Sequence, residues 1–156
     1  MKTIEIIILN FDEIRRRSIK LWDGLPAEKY DWKPDAAAMG SLEMIRHVLE
    51  GEHLFHVIIT NRGNLGDYVS PWENRPYTNF KAELEFANKY RNEFIDAVNN
   101  FSETDLENIE IVRSEKNQRK KLGDYLNRMA YHESVHTGQM LSYFRGMGIE
   151  IPLIWD

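Results

Sequence analysis

The stretch LGDYLNRMAYHESVHTGQMLSYFRGMG, residues 122–148, decides the fold. Leu122, Tyr125, Met129, Met140, Tyr143 and Met147 recur at helical spacing, and Gly146 or Gly148, ahead of Pro152, supplies the stop. At about 100° per residue, His132 lies within about 80° of Tyr125, Met129, Met140, Tyr143 and Met147, and His136 lies about 40° from His132. Two imidazoles therefore stack one turn apart on the apolar face of one long helix, the geometry that two ligands of a shared metal ion need.

Three further stretches carry the same period. Ile4, Ile7, Phe11, Ile14, Ser18 and Leu21 predict a first helix over about 3–23, with Gly24 and Pro26 beyond it as stop signals. Tyr30-Asp31-Trp32-Lys33-Pro34 is extended at Lys33, because the residue before proline is pushed out of the helical region. Ser41 then caps a second helix that runs to about Thr60, with Glu43 well placed in its first turn. Gly63, Gly66, Pro71 and Pro76 mark a long surface connection whose Tyr68, Trp72 and Tyr77 either cover one end of a bundle or line a pocket mouth. Phe80, Leu84, Ala87, Phe94, Val98 and Phe101 predict a third helix, capped by Thr78, interrupted on its stripe by Arg91 and ended by Ser102 to Asp105. Ile109 and Ile111 alternate about Glu110, the pattern of a short strand or hairpin before the fourth helix, although Ser114–Lys121 is too polar for much burial. There is no repeat and no low-complexity tract. Four long amphipathic helices predict an all-α four-helix bundle, one domain over residues 1–156.

Composition removes several function classes. A net charge of −5 with scattered basic residues gives no footprint for nucleic acid. The run Arg15-Arg16-Arg17 falls within the first helix and reads as a solvated face. With no cysteine, the chain forms no disulfide and offers neither a thiolate nucleophile nor a thiolate ligand, so any thiol chemistry must come from a co-substrate. Apolar runs such as Ile4–Leu9 fall well short of the roughly 18 residues a membrane span needs, and a soluble, cytoplasmic protein without a membrane partner is expected.

The second helix carries three more histidines. His47 lies about 20° from Leu54 and Ile58, at the edge of the core face, whereas His53 and His56 lie about 120° and 180° away and are expected to face solvent or a partner chain. His47, His132 and His136 are thus the inward imidazoles of two helices that a bundle brings face to face. Three neutral nitrogen ligands leave a divalent ion open to water or substrate. The plainer reading keeps all three as core histidines of a non-catalytic bundle or dimerisation module. His132-Glu133-Ser134-Val135-His136 also satisfies the H-E-x-x-H pattern of zinc peptidases, in which Glu133 would activate a metal-bound water. Such enzymes need a third downstream ligand, and the only carboxylates after His136 are Glu150 and Asp156, with no later histidine, so that reading is the weakest.

Trp32-Lys33-Pro34, then Ser41-Leu42-Glu43 with His47 six positions after the serine, then His132-Glu133-x-x-His136-x-Gly138-Gln139 and the closing Arg145-Gly146-Met147-Gly148-Ile149 resemble the DinB/YfiT-like family over essentially the whole chain. The resemblance implies a four-helix bundle, often a homodimer, with a divalent metal on a histidine triad that maps onto His47, His132 and His136. It implies zinc or nickel as leading candidates for the ion, and points to a thiol S-transferase or related detoxifying enzyme that takes a small-molecule electrophile and a low-molecular-weight thiol. Glu133 would then be an ordinary occupant of its position. Gln139, about 20° from His132, is open to two roles, a partner of a ligand histidine or a polar contact between helices. Trp32, Trp72, Tyr125 and Tyr143 are candidates for substrate contact, each of them equally readable as a core aromatic.

Overall fold

The computed structural model describes residues 1–156. Four long helices form: α1 (Thr3–Asp23), α2 (Ser41–Thr60), α3 (Phe80–Asn99) and α5 (Leu122–Met147). A short helix α4 (Glu103–Asn108) and a hairpin of β1 (Glu110–Arg113) with β2 (Gln118–Lys121) lie between α3 and α5. The hairpin is antiparallel, with Glu110 opposite Lys121 and Arg113 opposite Gln118. The expected bundle and hairpin are both present.

Cross-helix contacts fix the direction of each helix. On α2 and α3, Arg46 meets Glu83, His53 meets Tyr90 and His56 meets Phe94, so the partners advance in step and the helices run parallel. On α1 and α3, Phe11 meets Phe94, Asp12 meets Arg91 and Asp23 meets Lys81, the antiparallel order. Helix α5 runs parallel to α1, where Arg15 meets Glu133 and Ser18 meets Thr137, and antiparallel to α2, where His47 meets His136 and Phe55 meets Tyr125. The order is up, down, down, up. A 20-residue helix is about 30 Å long, so two consecutive parallel helices need a connection able to return that far, which is why residues 61–79 form a long crossover. Arg46 ties this crossover down. Its guanidinium donates to the carbonyls of Arg75 and Pro76 at 2.6 and 2.8 Å and to Glu83 at 2.6 and 3.0 Å, and it lies 3.6 Å over the Tyr77 ring. Trp72 is buried in the core, while Tyr77 stays exposed.

Helix ends mostly follow local chemistry. Gly148, at φ +70°, takes the left-handed turn that ends α5, a conformation that costs glycine nothing. The cap of α2 is Gly40 rather than Ser41: Glu43 accepts from the Gly40 amide, and the Ser41 hydroxyl donates instead to the Trp32 carbonyl. Asn79, not Thr78, caps α3 by accepting from the Ala82 amide at 2.9 Å. Ser102 opens α4 rather than merely closing α3, because its hydroxyl accepts from the Asp105 amide while Asp105 accepts from its own.

The core divides in two. One cluster holds Leu21, Trp22, Ile45, Leu49, Ala87, Met140 and Phe144; the other holds Phe11, Ile58, Phe94, Leu126, Met129 and Ala130. Between them lies a charged layer to which every long helix contributes. Arg15 of α1 donates to Glu133 of α5 at 2.9 and 3.0 Å and to Glu52 of α2 at 3.3 and 3.5 Å. Arg91 of α3 donates to Glu52 at 2.5 Å and to Asp12 of α1 at 2.8 Å. Arg15 and Glu133 are 5% exposed and Glu52 4%. The reading of the run as a solvated face is therefore overturned for Arg15 and holds fully only for the exposed Arg16, which pairs with Glu13 and Asp156; Arg17 is half-buried and pairs with Glu13. Burial opposes the Arg15 charge, and the Glu133 and Glu52 carboxylates outweigh that cost, raising its pKa. Arg91 interrupts its stripe because its partner Glu52 lies in the same layer.

Candidate metal centre

At the level of the charged layer, α2 and α5 also meet along an outer seam, and there the three expected histidines converge. His132 Nε2 lies 3.1 Å from His47 Nε2 and 3.1 Å from His136 Nε2, and one nitrogen from each ring falls within 4.8 Å of the other two. Three nitrogens about 2.0–2.1 Å from a common ion stand roughly 3.0 Å apart in octahedral and 3.3 Å apart in tetrahedral coordination, so the spacing fits a metal. The triad differs from the expectation of three inward imidazoles, because the His47 ring lies at the surface. His132 and His136 are half-buried and His47 is exposed, so the site is an open seam rather than a closed interior cavity.

Hydrogen-bond chemistry favours the same reading. His136 Nδ1 lies 2.6 Å from Gln139 Oε1, an oxygen that only accepts, so Nδ1 is the donor and the neutral ring presents its lone pair at Nε2. Gln139 thus holds the His136 ring in place. His132 Nε2 has one in-plane position to share between two neighbouring nitrogens, and a hydrogen on it serves one of them. As a set of hydrogen bonds the trio leaves a contact unsatisfied, whereas one cation satisfies all three nitrogens. Burial, followed by the neighbouring His136 and His47, brings the His132 pKa down to about 4, and the partial desolvation of the inner edge of the otherwise exposed His47 ring, with His136 beside it, lowers that of His47. Both rings are then neutral at neutral pH, the form in which imidazole binds metal.

Gly51, which the sequence reading passed over, makes room for the central His132 ring. A Cβ at this position would stand 3.0 Å from His132 Cε1, so the ring rests against the backbone of α2. A glycine four residues after His47 is the only trace of this in the sequence.

Other candidates separate from the site. Glu133 turns inward, and both its oxygens are taken by Arg15, so it is not placed to activate a water at the triad as the peptidase reading requires. His53 and His56 do not face open solvent: half-buried, they pack on Tyr90 and Phe94 of α3, because α3 lies parallel against that side of α2. Trp72 and Tyr125 are core residues, and Tyr143, also buried, donates to the Met39 carbonyl and packs edge-on against Trp32.

Comparisons with known proteins agree with this architecture. The profile of the DinB superfamily matches residues 10–140, a span that includes all three triad histidines. Over 148 residues the chain is 28% identical to the uncharacterized protein YjoA of Bacillus subtilis, covering 94% of this chain and 92% of that one. The crystal structure of that DinB-like protein superposes with a TM-score of 0.72 at 23% identity, over 95% of this chain and 96% of that one. A DinB-like protein from Bacillus cereus superposes with a TM-score of 0.71 at 18% identity, over 95% of each chain. With a profile that runs from the first helix through the histidines of α5, and a bundle shared along almost its whole length, the chain belongs to the DinB superfamily.

Proposed function

We propose that His47, His132 and His136 hold one divalent ion and that the open side of this site takes a small molecule, with a low-molecular-weight thiol as the leading co-substrate. The observation that carries the reading is the convergence of three imidazoles, with His132 Nε2 3.1 Å from both His47 Nε2 and His136 Nε2 and one nitrogen of each ring within 4.8 Å of the other two. Three imidazoles leave coordination positions free, the arrangement of catalytic rather than structural sites, and zinc and nickel both suit such ligands. A divalent ion there supplies Lewis acidity, the property that deprotonates a coordinated thiol near neutral pH. The chain's own residues act around it: Gln139 sets the His136 tautomer, Gly51 leaves space for the His132 ring, and the exposed His47 edge leaves a route for ligand. The absence of cysteine leaves the thiol to come from solution, where it would be transferred to a small electrophile. Cytoplasmic location and a homodimer accompany this proposal as family expectations. No helix of the structure is long and apolar enough to cross a membrane.

Metal analysis of protein purified without a histidine tag tests the site. The wild type is expected to carry close to one divalent ion per chain and His132→Ala almost none; equal metal in both removes the reading. Adding a low-molecular-weight thiol to the cobalt-substituted protein then tests the co-substrate, since coordination produces a sulfur-to-cobalt charge-transfer band and its absence excludes a thiol as ligand.

A further inference from the structure

The buried charged layer and the histidine seam use adjacent residues. Glu133 directly follows His132 on α5, and Glu52 directly follows Gly51, the residue of α2 against which the His132 ring rests. Arg15 Nη2 alone bonds both carboxylates, Glu133 at 3.0 Å and Glu52 at 3.3 Å. The two helices are therefore joined on their inner side through Arg15 and meet on their outer side through the triad. We infer that Arg15 is a positioning residue for the metal site, setting the separation of α2 and α5 at which the three imidazoles share an ion. This rests on the triad holding an ion, as proposed above.

The physical case is one of unpaired charge. Glu52 keeps Arg91 when Arg15 is removed, whereas Arg15 is the only cation bonded to Glu133. The two carboxylates, both bonded to a single nitrogen, would then face each other in a dry layer, and like charges so placed separate, take up a proton or draw in water. Ser18 and Thr137, one turn further along α1 and α5, share a hydrogen bond but carry no charge to offset this. Metal ligation tolerates displacements of only about 0.2 Å from ideal distances, so even a slight opening of the seam falls on the His47 to His132 contact. The Arg15 side chain lies on the inner side, away from the open face of the site, so its effect is on geometry and not on chemistry.

Cobalt(II) titration of untagged, metal-free protein provides the test, with visible absorption reporting coordination geometry and circular dichroism reporting the fold. Arg15→Gln is expected to bind cobalt about 10–100-fold more weakly than wild type, with altered visible bands, while retaining its helical spectrum. Arg15→Lys keeps the charge without the two-pronged contact and is expected to recover part of the loss. Where Arg15→Gln fails to fold, Arg15→Lys decides by the same criterion. A folded variant with a lower melting temperature but cobalt affinity within twofold of wild type and unchanged bands makes Arg15 purely structural and overturns the inference. A wild type that binds no cobalt, or a His132→Ala variant that binds it equally, overturns the metal site itself and is distinguishable from that outcome.

Discussion

The imidazole of His132 is packed where a single methyl group would displace it. Replacing Gly51 with alanine removes a poor helix former from the interior of α2, a change worth up to about 1 kcal/mol in favour of the folded state. The same Cβ would stand 3.0 Å from His132 Cε1, a contact tight enough to push the ring off the common centre. Gly51→Ala is therefore expected to leave the melting temperature of metal-free protein equal or higher while weakening metal binding about 10-fold or more, a pair of opposite signs that calorimetry and metal titration read separately. Protonation gives a second expectation. His132 is lowered to about 4 by burial and its neighbours, and the half-buried His53 and His56 are lowered chiefly by burial. Between about pH 6.5 and 4 the unfolded chain binds protons on these rings that the folded chain refuses, so stability rises with pH in that window. Urea unfolding of metal-free protein should give a lower free energy at pH 5 than at pH 7.5; an equal or higher value at pH 5 contradicts the burial of these rings.

At the scale of helices and their connections, the end of the crossover between α2 and α3 is anchored by a buried pair. Glu83 is fully buried, and Arg46 supplies both of its hydrogen bonds. Arg46→Met strips that carboxylate of both hydrogen bonds, leaving only the Arg75 guanidinium 4.0 Å away, and releases the Arg75 and Pro76 carbonyls, at an expected cost of about 3 kcal/mol in urea denaturation. Lys81→Ala, which breaks the exposed contact with Asp23, is expected to change stability by less than about 0.5 kcal/mol, and similar values for the two would contradict the anchoring role. The sequence made the long helices readable because Ile4, Ile7, Phe11 and Leu21, and their counterparts on the other helices, keep a strict period. It hid the charged layer for the same reason. Arg15 lies on the apolar stripe of α1, but an arginine there reads as an exposed interruption until Glu52 and Glu133 are known to meet it. Helix α4 is too short for a period to register, and its Ser102 and Asp105 signal was spent on ending α3. Asn79 and Thr78 are both good caps, and sequence alone cannot choose between neighbours.

At the scale of the whole molecule, bundle topology decides what the histidines can do. The parallel course of α2 and α3 was not legible from periodicity, although the length of residues 61–79 carried a hint of it, and that course places His53 and His56 against α3. It leaves the opposite side of α2 for α5, so His47 meets His132 and His136 across an antiparallel seam. The triad itself was legible, since an i, i+4 pair and a histidine at the edge of another helix's core face need only the helical repeat to be aligned. Its openness was not, because exposure depends on which helix covers which side. The central claim is that these three rings share one ion, and an anomalous difference map from crystals of untagged protein, recorded at the absorption edge of the bound metal, tests it most directly. The account predicts one strong peak on the α2–α5 seam, about 2.0–2.2 Å from each of the three Nε2 atoms. No peak at that position, or a peak bound by only one of the three rings, contradicts it.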